Sequence, residues 1–453
     1  MEPVPGTSRR SLLRAAGVTG LAAAVGGTAT GADGPDGNPL AGFGGTACDV
    51  PRTSDEYLPW DTDGAYGGWG GHVYHGTKPG TRRNPVVFVH GNTHDGCDFS
   101  VHAETYLERG YRGDELWSIT FREGTSTHAE MARQLEDFVA HVRAETGAAT
   151  VDVVSHSLGV TGVRFWLLDL RPYLDRWPSV DLAADHPAAE PHLDIVDTFV
   201  GLAGGNHGTR TCGPCQKGVG SAEPCNVISP LCADEPGEPL YDLNHYDPER
   251  VGGGEPSPPN ETPGDVDYYT IRGGLDYFYP SNPESPELAG ATNVLLQGRA
   301  HNATRASGPA VELIYQWVGA GTEPRSRHVP VTTSGTRTDD GRVFTAGQTN
   351  QVDLAVETDR PALLRDRVPY QWDVLDVDED DVEAVAVHPH EGVKEVYLSA
   401  RPSDAHTATY FVEAPTSTGD YQFGPCEVRA PQATEWESVP DTSESNDVVG
   451  VGT

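Results

Sequence analysis

Alternating strand and helix signals over the first two thirds of this 453-residue chain predict an α/β domain built on a parallel sheet, followed by a small all-β sandwich. Three observations carry that expectation. The β-branched run at residues 151–154 passes through Ser155-His156-Ser157-Leu158-Gly159 into a helical pattern. An earlier apolar run, residues 85–89, ends in His90-Gly91-Asn92. Beyond about Pro324 the pattern becomes short β-branched runs at residues 329–333, 343–345, 351–356, 383–387, 395–399, 409–413 and 421–429. Turn signals such as Asp340-Gly341 and Gly419-Asp420 separate them.

The elements follow in order. Residues 33–47 read as a Gly/Pro/Asp-rich linker, and the glycines and aromatics of residues 57–74 as a covering loop. Thr127-His128-Ala129-Glu130 has the spacing of a capping box. Met131, Leu135, Phe138, Val139 and Val142 then share one face, which predicts an amphipathic helix ending at Gly147. After Gly159 the helical pattern runs on toward Pro172. Residues 193–202 read as the next parallel strand, closing in Ala203-Gly204-Gly205-Asn206. From 207 to 264 the pattern gives way to Cys, Pro and Gly, a segment long enough to serve as a rim or lid. Strands return at 268–272, leading to Gly273-Gly274-Leu275-Asp276, and at 293–296, leading to Gly298-Arg299-Ala300-His301. A helix is expected over 308–318. The domain limits so drawn are 48–322 for the α/β domain, 325–430 for the β-sandwich and 431–453 for an acidic tail without fixed structure.

Composition narrows the setting. Asp and Glu number 67 against 31 Lys and Arg, for a net charge of −36, which excludes a nucleic-acid partner. Only Lys78, Lys217 and Lys394 are lysines. Such a surface suits a protein of a halophilic host, where salt screens the self-repulsion. Ser8-Arg9-Arg10-Ser11-Leu12-Leu13-Arg14, followed by an Ala/Gly/Val run to about Gly27, predicts a twin-arginine export signal over residues 1–32 and a secreted mature protein. That run is too short and glycine-rich to span a membrane, which takes about 20 apolar residues. The seven cysteines fit an oxidising compartment. Cys48 and Cys97 can pair, and Cys426 stands apart. Cys212, Cys215, Cys225 and Cys232 favour disulfide staples over a four-thiolate zinc site or a redox dithiol.

A serine at a tight strand-to-helix corner is lifted above the sheet edge, with the helix N-terminus behind it favouring negative charge. Ser157 holds that place. A serine hydroxyl is barely ionised at neutral pH, so it needs an imidazole base, and the base needs a carboxylate to fix its tautomer. His301 and Asp276 each follow a strand and so reach the same edge. His207 and His245 are alternatives for the base, and Asp265 or Asp267 for the acid, although Asp267 precedes its strand and belongs at the opposite edge.

On these motifs, residues from about 84 to 318 resemble the small bacterial lipases of the α/β-hydrolase superfamily and the related extracellular polyhydroxyalkanoate depolymerases. The resemblance implies an α/β-hydrolase fold and an acyl-enzyme mechanism, with Ser157 as nucleophile, His301 as base and Asp276 as acid. It implies the backbone N–H groups of Asn92 and Leu158 as oxyanion donors. No metal or cofactor is called for, and the expected partner is a lipid or other ester, a polyester included. The chain departs from the family at Ser155, where Ala or Gly is usual, and in its cysteine-rich insert. A depolymerase shares the triad, and a catalytically silent surface-binding hydrolase fold would not need to keep it.

Overall fold

The computed structural model describes residues 51–178, 180, 182–183, 190–209, 227, 236–319, 330–360, 362–375, 381–388, 391–398, 406–430 and 436–450. The chain forms two compact units, residues 1–268 with 318–320, and residues 269–317 with 321–453.

In the first unit, β1 (Tyr66–Gly70), β2 (Val86–Val89), β3 (Leu116–Phe121), β4 (Val151–His156) and β5 (Val196–Leu202) lie in the order β1-β3-β2-β4-β5. β3, β2, β4 and β5 run parallel, and β1 is an antiparallel edge. Every residue of β2 and β4 is buried, as expected for strands of a parallel sheet covered on both faces. The helices are α1 (Gly71–His75), α2 (Ser100–Glu108), α3 (His128–Thr146), α4 (Leu158–Leu167) and α5 (Pro239–Asn244). The capping box of α3 is realised. Thr127 Oγ1 accepts from Glu130 N–H at 3.1 Å, Glu130 Oε2 accepts from Thr127 N–H at 2.8 Å, and Gly147 closes the helix in the left-handed region.

The covering loop expected over residues 57–74 is in part strand β1. A glycine-rich run was hard to read as a strand, but its glycines are what bring it close: a Cβ on Gly70 would lie 2.4 Å from the Trp117 ring of β3. α5 falls inside the segment read as irregular, at 207–264. Within that segment, residues 210–226 and 228–235, which hold Cys212, Cys215, Cys225 and Cys232, lie outside the described residues. So do Cys48 and the export motif.

In the second unit, β6 (Asp267–Gly273) and β7 (Thr292–Gln297) pair in parallel, and helices α6 (His301–Ala306) and α7 (Gly308–Trp317) follow. Then come β8 (Thr333–Asp339), β9 (Val343–Phe344), β10 (Thr349–Thr358), β11 (Leu363–Pro369), β12 (Asp373–Leu375) and β13 (Val382–His388). After them lie β14 (Val393–Leu398), β15 (His406–Glu413), β16 (Gly419–Phe423), β17 (Glu427–Arg429), β18 (Glu437–Ser438) and β19 (Glu444–Val448). One sheet runs β6-β7-β13-β14-β11-β17-β18, a second β12-β15-β10-β8, and a third β16-β19-β9. Val352, Leu354, Leu364, Trp372, Val396, Val412 and Phe423 from these sheets share one core. The unit boundary thus falls after residue 268, whereas the sequence pattern places it near 322–325. The reason is pairing: Val385, Ala386 and Val387 of β13 lie antiparallel to Gln297, Leu296 and Leu295 of β7. Residues 444–448, read as part of an unstructured acidic tail, pair with β16 instead. Asn446 is buried there and donates to Asp339 Oδ2 at 2.8 Å. Among the described residues, no helix is long and apolar enough to cross a membrane.

Charges are buried in this unit. Arg365 meets Glu395 and Glu427, each at 2.7 Å, and Tyr397 and His388 reach Glu395 at 3.0 and 3.3 Å. Burial alone would raise the Glu395 carboxyl, but the His388 hydrogen bond and the Arg365 charge outweigh it and hold it at about 2, below the usual 4.5. A carboxyl depressed in the folded state stabilises above its unfolded value and loses that contribution as pH falls from 4.5 through about 2. Urea unfolding of the chain across this window is expected to show that loss. Glu395→Gln should lower stability at neutral pH and flatten the dependence. A variant that tracks the wild type at every pH overturns the assignment.

Candidate active site

The corner between β4 and α4 carries Ser157, the candidate nucleophile of the first unit. Ser157 sits there with φ 56° and ψ −126°, a left-handed conformation that costs a non-glycine residue of order 1–3 kcal/mol. The surroundings enforce it. Ser157 N–H donates to Leu202 O at 2.8 Å, extending the β4–β5 ladder by one step, while its carbonyl accepts from Val160 N–H at 3.0 Å and opens the helix. One residue thus closes the strand ladder and opens the helix. The crossing is tight on either side: a Cβ on Gly159 would lie 2.4 Å from His90 O, and one on Gly91 would lie 2.8 Å from Ser157 Cβ. Ser155, the departure from the family pattern, is fully buried, and its hydroxyl donates to Val200 O at 3.3 Å on β5. The position therefore tolerates a small polar side chain that turns toward the neighbouring strand.

Helix α4 is held by Arg164, which is buried yet fully engaged. Its guanidinium donates to Asn206 Oδ1 at 3.2 Å, Asn244 Oδ1 at 3.0 Å, Leu243 O at 2.6 Å and Glu261 O at 3.4 Å. Burial pushes its pKa down to about 10, which still leaves it charged at neutral pH. At the other end of the crossing, Asn92 is exposed in the turn after β2. Among the described residues, neither the Asn92 nor the Leu158 N–H is taken up by a turn or loop acceptor. His94 in the same turn meets Asp98 Oδ2 through Nδ1 at 2.7 Å.

In the second unit, the loops after β6 and β7 bring Asp276 and His301 together. His301 Nδ1–H donates to Asp276 Oδ2 at 2.7 Å, and Phe278 N–H donates to Asp276 Oδ1 at 2.9 Å, so both carboxylate oxygens are engaged. With Nδ1 carrying the proton, Nε2 is the acceptor nitrogen of the neutral ring. Both side chains are buried, at 4% and 3% exposure. The loops lie against each other: Leu275 N–H donates to Arg299 O at 2.9 Å, and a Cβ on Gly273 would lie 2.3 Å from the same oxygen. Phe278 packs on the imidazole with ring centroids 4.3 Å apart. Burial, reinforced by the Asp276 charge, holds Tyr279 well above the ordinary tyrosine value, so it stays a neutral phenol.

The alternatives are otherwise occupied. His207 meets Glu261 at 3.2 Å, His245 stacks on Tyr241, and Asp265 and Asp267 are exposed at the start of β6. Sequence reasoning passed over Arg164, Phe278 and Tyr279. The only signal for the aromatic pair was their place next to Asp276.

Gly159→Ala follows from the crossing. The methyl group meets a backbone carbonyl, not a yielding side chain, so it is expected to cost about 1–3 kcal/mol in urea unfolding, as overpacking does. An unchanged midpoint would show that the crossing has slack.

Residues 83–249 match the family profile of lipases (class 2). Among solved structures, the chain is similar to a Bacillus licheniformis lipase, BlEst2, in its mature form, at 14% identity and a TM-score of 0.35, over 50% of this chain and 89% of that one. It is similar to the Bacillus subtilis carboxylesterase CesB at 10% identity and a TM-score of 0.28, over 52% and 85%. A third is Aspergillus fumigatus lipase B, at 14% identity and a TM-score of 0.31, over 53% and 54%. These superpositions are loose, and the assignment rests on the profile match. Residues 83–249, the stretch that carries Ser157, are similar to the class 2 lipases.

Proposed function

We propose that the protein is a secreted serine hydrolase of carboxylic esters, with Ser157 as nucleophile, His301 as general base and Asp276 as the carboxylate that orients it. The observation that carries the reading is the forced left-handed backbone of Ser157 at the strand-to-helix corner. The Asp276–His301 bond, with the acceptor nitrogen left as Nε2, supports the other two roles. In this reading His301 takes the Ser157 proton as the hydroxyl attacks the ester carbonyl. The N–H groups of Asn92 and Leu158 stabilise the oxyanion, and the alcohol leaves with the proton returned by His301. Water then repeats the sequence on the acyl-enzyme. Leu275 and Tyr277, 63% and 62% exposed on either side of Asp276, offer apolar surface that suits a lipid ester.

Ser157→Ala should abolish hydrolysis of p-nitrophenyl esters in high salt while leaving circular dichroism and the unfolding midpoint unchanged. Turnover equal to wild type would reject the nucleophile. Short-chain esters, a triglyceride emulsion and polyester granules assayed side by side assign the substrate class.

Export by the twin-arginine route, and the salt-adapted setting that the acidic surface suits, belong to the same proposal. Replacing Arg9 and Arg10 with lysines should leave the precursor inside the cells of an expressing host. Export undiminished by the double variant would discard that route.

A further inference from the structure

The turn that carries Asn92 is fixed by a residue that never meets the substrate. Phe121 N–H donates to His90 Nε2 at 2.9 Å, so that nitrogen is an acceptor and the ring proton sits on Nδ1. Nδ1 in turn lies 2.7 Å from Gly91 O and donates to it. His94 N–H adds a second, longer bond to the same oxygen, at 3.3 Å. Gly91 C=O and Asn92 N–H belong to one planar trans peptide and point in opposite directions, so holding the oxygen aims the N–H. The neighbouring donor is spent, since Thr93 N–H goes to Gly124 O at 2.6 Å. Thr93 itself is left-handed, at φ 64°, which marks a turn that is over-determined by its surroundings. Arg52 supplies part of that constraint, donating to Thr93 O at 3.2 Å, His94 O at 2.7 Å and Phe121 O at 3.0 Å. Gly91 also presses on Ser157, so the aimed peptide and the nucleophile are neighbours.

We propose that His90 is a positioning residue whose single tautomer locks the Gly91–Asn92 peptide with its N–H toward the oxyanion and its carbonyl turned away. A flipped peptide would present a carbonyl oxygen to the developing negative charge and lose two hydrogen bonds. Burial pushes the imidazole down to about 3, so it remains neutral and keeps both its donor and its acceptor roles at the pH of catalysis. The inference rests on the ester-hydrolase reading above and adds to it the device that sets up one oxyanion donor.

Three variants of the full chain separate positioning from packing. His90→Asn keeps an amide donor near the place of Nδ1, His90→Gln keeps an acceptor near the place of Nε2, and His90→Phe keeps only the ring. Each is assayed for kcat and KM on a p-nitrophenyl ester and for inhibition by a trifluoromethyl ketone, which forms an oxyanion on the nucleophile. The Gln and Phe variants should lose kcat by a factor approaching the roughly 10²–10³ of a missing oxyanion donor. KM should stay nearly constant, inhibition should weaken in parallel with kcat, and Asn should retain most of both. Folded Gln or Phe variants with wild-type kcat overturn the proposal, as does a fall in kcat with no loss of inhibitor affinity. If the Phe variant does not fold, equal losses in Asn and Gln overturn it as well. A wild-type chain without ester turnover sinks the hydrolase reading, and this inference with it. Active wild type with unaffected variants sinks the inference alone.

Discussion

The tight passage at Ser157 is the constraint from which the first unit's architecture follows. Ser157 ends a buried strand and begins a helix at positive φ, and the backbone around it comes close enough to hold it there. That closeness explains why Gly91 and Gly159 are glycines and why the β2 turn lies beside the β4 corner. The strain is small beside the packing energy of the sheet. It persists because relieving it would break the ladder to β5 and the first turn of α4 together.

The second unit solves a different problem. It belongs to a chain with 67 acidic residues, yet several of its carboxylates lie inside, each matched by a cation. Arg337 pairs with Asp366 at 2.6 Å, and Arg365 is shared between Glu395 and Glu427, so each of these buried carboxylates touches a cation. Removing one partner from such a pair costs far more than the pair contributes, which makes these networks guides to register more than sources of stability.

Much of the candidate site's local structure was legible in the sequence because it lies in short-range patterns. The small-residue corner at Ser157, the Thr127–Glu130 capping box and the strand ends leading to Asp276 and His301 are all short-range signals, and each appears where it was read. Strands β11 and β12 were missed, and β11 shows why. Leu363–Pro369 contains Arg365, Asp366 and Arg367, a charged run whose partners on other strands are distant in sequence. β1 was missed because Tyr66–Gly70 carries three glycines, and only their tertiary neighbours explain them: Pro51 for Gly67, Ser118 for Gly68 and Trp117 for Gly70. The joining of β7 to β13 has no local signature, since about ninety residues separate the partners. Long-range pairing and compensated charge are not written in any single window of sequence.

Arg164 ties together chain segments from both sides of residues 210–235: Asn206 before them, and Leu243, Asn244 and Glu261 after. Both flanks of that segment are thus clamped to helix α4, and lengthening a chain between fixed ends adds little entropic cost. Between those flanks, sequence can be grafted, shortened or shuffled while the corner at Ser157 keeps its shape. Sequence variation has a natural seam in this molecule, and a laboratory library would be cut along it.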